Sequence, residues 1–199
     1  MTLTKTLPDF TAARKAMVDS QLRTSGVNEP FVMERMGAHP REDHVPEAAK
    51  AVAYMDRAVP LGGGKSLPAP LFHGRVLAEA QPRATDRVLV IDSGAGYLPA
   101  LLAPLVESVE AISPADAAKK SRKKGDFTLL FIDGAVEEFP EAIAGRLADG
   151  ARIVTGIVEG RVTRLAVGYN SGGAISLMNI TEMGIPRLHE FDRAESWSF

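Results

Sequence analysis

The sequence predicts an α/β chain built on an open, doubly wound sheet beneath an N-terminal helical region. Three observations point there. After residue 80, short β-branched runs alternate with helical stretches. The first of those runs ends in a glycine-rich turn, Asp92-Ser93-Gly94-Ala95-Gly96, which leads into a helical stretch. The alternation closes on Asn170-Ser171-Gly172-Gly173 between two strand-like runs, the signature of an antiparallel hairpin.

Taken in order, Phe10 to Leu22 carries apolar residues at helical spacing (Ala13, Met17, Val18, Leu22), and Gly26 is a stop. Asn28 fits an N-cap, with Pro30 in the first turn of a short helix through Met36. Pro40 and Pro46 forbid a long helix between His39 and Pro46. Gly62, Gly63 and Gly64 mark a loop, and a helix follows from about Leu71 to Ala80. Strand Arg87–Ile91, helix Tyr97–Leu105 and strand Val109–Ile112 come next. A short helix then carries Lys119, Lys120, Arg122, Lys123 and Lys124. Strand Phe127–Ile132 leads through Phe139-Pro140 to a helix ending near Asp149-Gly150. Strand Arg152–Gly156 precedes the hairpin of Arg164–Tyr169 and Ala174–Met178.

The 199 residues hold 25 acidic and 23 basic side chains, a net charge of −2, with 45% apolar residues and no cysteine. That balance excludes a disordered chain and one that coats nucleic acid by bulk charge. Without thiols there is no disulfide scaffold, cysteine-ligated metal or cysteine nucleophile. The longest apolar run, Leu98 to Val106, is too short to span a bilayer. Met1 to Phe10 lacks the apolar core of a secretory signal, so the expectation is one cytoplasmic domain over 1–199 that meets neither membrane nor nucleic acid. Within it, 1–80 would form a helical cap with a loop and 81–199 the sheet.

Gly94-Ala95-Gly96 stands where such sheets bind nucleotides, because glycine admits a close ligand and the helix start offers free amides. A tight turn that binds nothing fits the same pattern equally well. Asp92 crowds the approach, and the next strand ends in Ser113 rather than in an acid for ribose hydroxyls. Gly64-Lys65-Ser66 is not a P-loop, since Val59 stands in place of its first glycine. Ser93 lacks the flanking glycines of a nucleophile elbow. His39 and His44 have no third ligand nearby, and the Lys119–Lys124 cluster reads as a solvated helix end.

A series of residues keeps its order and spacing from Met17 to Tyr97. It runs through Met17-Val18, Gln21-Leu22-Arg23, Gly26-Val27, Pro40-Arg41-Glu42, Val45-Pro46, Ala53-Tyr54, Asp56 and Pro60-Leu61-Gly62. It continues with Gly64 to Pro70, Arg87-Val88-Leu89 and Gly94 to Tyr97. It resembles the protein-L-isoaspartate O-methyltransferase family. The resemblance implies a seven-stranded Rossmann-like methyltransferase sheet under a helical cap. It also implies S-adenosylmethionine as cofactor and methylation of the abnormal carboxylate of isoaspartyl residues, driven by proximity.

Against that family's pattern, Ser66, Leu67 and Pro68 replace Thr-Ile-Ser in the substrate loop, so Pro68 stands for the serine beside the substrate carboxylate. Val90 and Asp92 replace an acid and a glycine, Ser113 replaces the ribose acid, and Thr128 stands where an aspartate is usual. The stretch from Ser113 to Phe127 is short enough to delete a strand. The expectation is therefore a sheet one strand short and a family member with a degraded site, acting through a protein or peptide partner. Two alternatives stay open: an active carboxyl methyltransferase in which Asp92 stands in for the missing acid, and a module for another small ligand. If chemistry remains, the resemblance puts Gly94, Gly96, Asp92 and Ser113 at the cofactor and Ser66 and His73 at the substrate. His73 has a plainer alternative as a capping or packing residue, and Tyr54 and Asp56 are expected to fix the cap.

Overall fold

The computed structural model describes residues 9–119 and 124–193. Among them are six α-helices: α1 Phe10–Met17, α2 Pro30–Ala38, α3 Pro70–Ala80, α4 Tyr97–Leu102, α5 Pro114–Ala117 and α6 Glu141–Ala144. Strands β1 Val59–Gly62 and β2 Lys65–Leu67 pair in a small antiparallel hairpin. The main sheet holds β3 Arg87–Ile91, β4 Ser108–Ile112, β5 Phe127–Val136, β6 Leu147–Glu159, β7 Val162–Ser171 and β8 Ala174–Glu182, in the order β4-β3-β5-β6-β7-β8.

From β4 to β6 the pairs are parallel, and β6, β7 and β8 are antiparallel. With β4 on one side of β3 and β5 on the other, the chain changes winding direction beside β3. A ligand crevice opens there in sheets of this kind, outside the C-terminal strand ends.

Both faces of the sheet are covered, and the period of two assigns each residue to one of them. Val88 and Val90, with Leu129 and Phe131, pack beneath Met17, Leu22, Val32 and Met36 of the N-terminal helices and Phe72 and Leu77 of α3. Leu89 and Ile91, with Leu130 and Ile132, face Ile143, Leu188 and Phe191 on the other side. Among the described residues the architecture is the Rossmann-like methyltransferase sheet of the expectation, and its six strands are one short of the family's seven, as expected.

Several elements end differently from the sequence reading. Phe10–Leu22 stays helical throughout, but from Val18 it widens into a single π turn. Glu29, not Asn28, precedes α2. The triple glycine is the turn of the β1–β2 hairpin. α4 stops at Leu102. α5 ends at Ala117, so Lys119 follows a helix instead of closing it; Lys120, Arg122 and Lys123 lie outside the described residues. The helix before Gly150 is a single turn, because Leu147 already pairs with Phe127 as the start of β6.

Candidate functional site

The glycine loop closes on itself. Gly94 and Gly96 both hold positive φ, 104° and 69°, so the chain reverses tightly between β3 and α4. Inside that turn the Asp92 carboxylate accepts the Gly94 N–H at 2.8 Å and the Gly96 N–H at 3.1 Å. Burial pushes the Asp92 carboxyl above its usual range and the neighbouring Asp133 charge adds to this, while the two amides pull the other way. Asp133 lies alongside because Ile91 pairs with Ile132, which carries both acids to the same level on adjacent strands.

Behind the loop lies a buried polar chain. Arg41 is fully enclosed; it donates from Nε to the Ala53 carbonyl at 2.7 Å and from Nη2 to the Pro68 carbonyl. Its Nη1 is 3.1 Å from His73 Nδ1, and His73 Nε2 is 2.9 Å from Asp133 Oδ1. A guanidinium only donates, so Nδ1 accepts and the ring proton sits on Nε2, directed at the carboxylate. His73 therefore links a buried cation to a buried anion as a neutral ring, and burial holds its pKa below the ordinary value. Tyr97, the first residue of α4, packs under the Arg41 guanidinium at 5.0 Å, and burial pushes its hydroxyl up to about 12.

A second contact fastens the helical region to the loop. His44 Nδ1 donates to the Ala95 carbonyl at 2.7 Å, so His44 Nε2 accepts from His39 Nε2 at 2.8 Å. Both rings pack against Tyr97. Tyr54 joins the buried chain from the helical side: its hydroxyl bonds Glu42, accepts from Arg14 at 2.8 Å and accepts the Arg41 N–H at 3.1 Å. Asp56 accepts the Leu71 N–H at 3.2 Å, at the first turn of α3.

The expected site residues fall in separate places. Asp92, Gly94 and Gly96 form the loop. His73 is wholly buried between Arg41 and Asp133. Pro68 presents its carbonyl to Arg41. Ser113 caps α5, accepting the Asp116 N–H at 3.1 Å and donating to its carboxylate at 2.7 Å. Ser66 lines a cavity of about 340 Å³ at the C-terminal end of β3, between the 63–66 turn, Ser93, Pro114 and residues 186–190. His73, Asp92 and Ser113 are not among that cavity's lining residues. Residues Pro186 to Leu188 run beside β5 there, with backbone hydrogen bonds between Ala135 and both Pro186 and Leu188.

The sequence reading holds Arg41 and Tyr97 only as members of the matched series, without a site role, and misses Asp133. The signal for Asp133 was present: Ile132-Asp133-Gly134 repeats the apolar, acidic, small pattern of Ile91-Asp92-Ser93 at a strand end.

A family model described as protein-L-isoaspartate(D-aspartate) O-methyltransferase matches residues 12–119. This chain belongs to the protein-L-isoaspartate O-methyltransferase family. Among curated members, a protein-L-isoaspartate O-methyltransferase 2 from Anaeromyxobacter sp. (strain Fw109-5) is 30% identical over 165 residues, 71% of this chain and 68% of that protein. A protein-L-isoaspartate O-methyltransferase of Methanoculleus marisnigri is 32% identical over 165 residues, 71% of this chain and 75% of that protein. Among solved structures, one described as such an enzyme from Plasmodium falciparum, in complex with S-adenosyl-L-homocysteine, superposes with a TM-score of 0.75. It is 17% identical and covers 89% of this chain and 98% of that one, which shows the shared fold.

Proposed function

We propose that this family member has given its cofactor and substrate site over to internal contacts, and that it acts by binding a protein or peptide partner and not by methyl transfer. The observation that carries this reading is the Asp92 carboxylate bonded to both Gly94 and Gly96 amides. Those amides are the donors such a loop offers to a ligand. Here a side chain of the loop itself takes them, and its negative charge repels any carboxylate brought to the same place.

Other residues support the same reading. Ser113 stands where an acid would hold ribose hydroxyls, and its hydroxyl is engaged with Asp116. Lys65 Nζ lies 3.7 Å from the position a Cβ on Gly94 would take, and a ring nitrogen of His44 lies 3.9 Å from that on Gly96, so both side chains lie within contact distance of the loop's outer surface. The residues present therefore do not fit S-adenosylmethionine, and no step is assigned through it. A cytoplasmic, single-unit protein belongs to the same proposal; no helix among the described residues is long and apolar enough to cross a membrane.

The test is methyl transfer from radiolabelled S-adenosylmethionine to an isoaspartyl peptide. The expected result is no transfer above a heat-treated control. Transfer would overturn the proposal in favour of an active carboxyl methyltransferase, the reading that the relatives' names support. In that case Asp92→Ala should abolish the activity if Asp92 stands in for the missing acid at Val90.

A further inference from the structure

We propose that the cavity beside the glycine loop binds a small oxyanion, a molecule bearing a carboxylate or a phosphate, held by the Lys65 ammonium and the Ser93 hydroxyl. The proposal rests on the reading above only in that S-adenosylmethionine does not fill this crevice.

Ser93 carries the inference. It is 1% exposed, and its Oγ has no hydrogen-bond partner among the described residues. A buried hydroxyl without a partner is uncommon in folded chains and needs a reason. Ser93 does line the cavity, so a ligand oxygen there would satisfy it. Asp92, whose carboxylate closes the loop, is not among the residues that line the cavity. A ligand at Ser93 is therefore not in competition with Asp92 for the Gly94 and Gly96 amides.

Lys65 supplies the charge. It lines the same cavity, and its Nζ reaches over Gly94, one residue from Ser93. No carboxylate among the described residues pairs with it. The other two basic side chains along the wall are already engaged. Arg187 is paired with Glu137 and Asp192, and His189 is 2.9 Å from Asp192. Glu190, an exposed residue, is the one acid among the described lining residues. An unpaired ammonium next to an unsatisfied buried hydroxyl selects an oxygen ligand with negative charge. Ser66 adds a second hydroxyl to the same wall.

The size sets the class. About 340 Å³ is at the small end of ligand cavities, which run from roughly 300 to 1,000 Å³. Pro114, Pro186 and Leu188 complete the wall with apolar surface. The fit is to a compact anion with a short carbon skeleton.

The experiment follows backbone amide shifts in the full-length protein during separate titrations with inorganic phosphate and with succinate. A parallel titration uses S-adenosylhomocysteine. The expected result is a saturable shift centred on Lys65 and Ser93 with at least one anion, and the stronger of the two identifies the source. Lys65→Met should weaken that binding about tenfold, as loss of a hydrogen bond to a charged group does, and Ser93→Ala several-fold. Lys65 is exposed and the Ser93 hydroxyl bonds nothing among the described residues, so both variants keep the fold. No saturable response to either anion would overturn the proposal, as would a response unchanged in both variants. Binding of S-adenosylhomocysteine would overturn the proposed function separately, whatever the anions do.

Discussion

Arg41, His73 and Asp133 place a cation, a neutral ring and an anion in a row from which solvent is excluded. Removing the middle member strands both ends. His73→Ala should therefore destabilise the fold by about 3–5 kcal/mol, read as a lower midpoint in urea unfolding. The same ring makes stability depend on pH. Burial depresses the pKa of both His73 and His39 in the folded chain, so the unfolded chain takes up protons first. Their contribution is complete above about 6.5 and is lost as the pH falls through the folded values. The melting temperature should drop between about pH 7.5 and about pH 5.5, and His39→Gln should flatten that slope. Asp92 has the opposite sign: its folded value is raised from 3.8, so its contribution is present in acid and lost as the pH rises. At this scale the sequence was readable by type and not by partner. His73 stood out as a site candidate, but its neighbours are 32 and 60 residues away along the chain, which no local spacing can reveal.

Among the elements, β5 and the segment after β8 depend on one another. A Cβ on Gly134 would sit 2.6 Å from Leu188 Cγ, so the absent side chain is what lets Pro186 to Leu188 lie against the strand. Gly134→Ala should cost about 1–3 kcal/mol by overpacking. Leu188→Ala should cost about 2–5 kcal/mol by cavity formation. The double variant should cost less than the sum, since each change relieves the other, and a urea denaturation cycle measures that coupling. Strand positions were legible because Val88–Ile91 and Leu129–Ile132 are β-branched or apolar on both faces. Strand ends were not. β5 runs on through Asp133-Gly134 to Val136, polar and flexible residues that hold strand geometry because Ala135 pairs with Gly156 and, on its other side, with Arg187.

For the whole molecule, the fold followed from strand–helix alternation, and the order of matched residues identified the family. The state of the site was legible only in part. Asp92 was visible as an intruder in a glycine loop, but its bonds to the loop's own amides depend on backbone reversal at Gly94 and Gly96. The central claim is that this internal carboxylate takes the place of a ligand. It is tested most directly by calorimetric titration of the wild-type chain and Asp92→Gly with S-adenosylhomocysteine. The account predicts no measurable heat of binding for the wild type, and a gain of binding in Asp92→Gly as the two amides are freed. Saturable binding by the wild type at micromolar concentration, unchanged or weakened in Asp92→Gly, would contradict it.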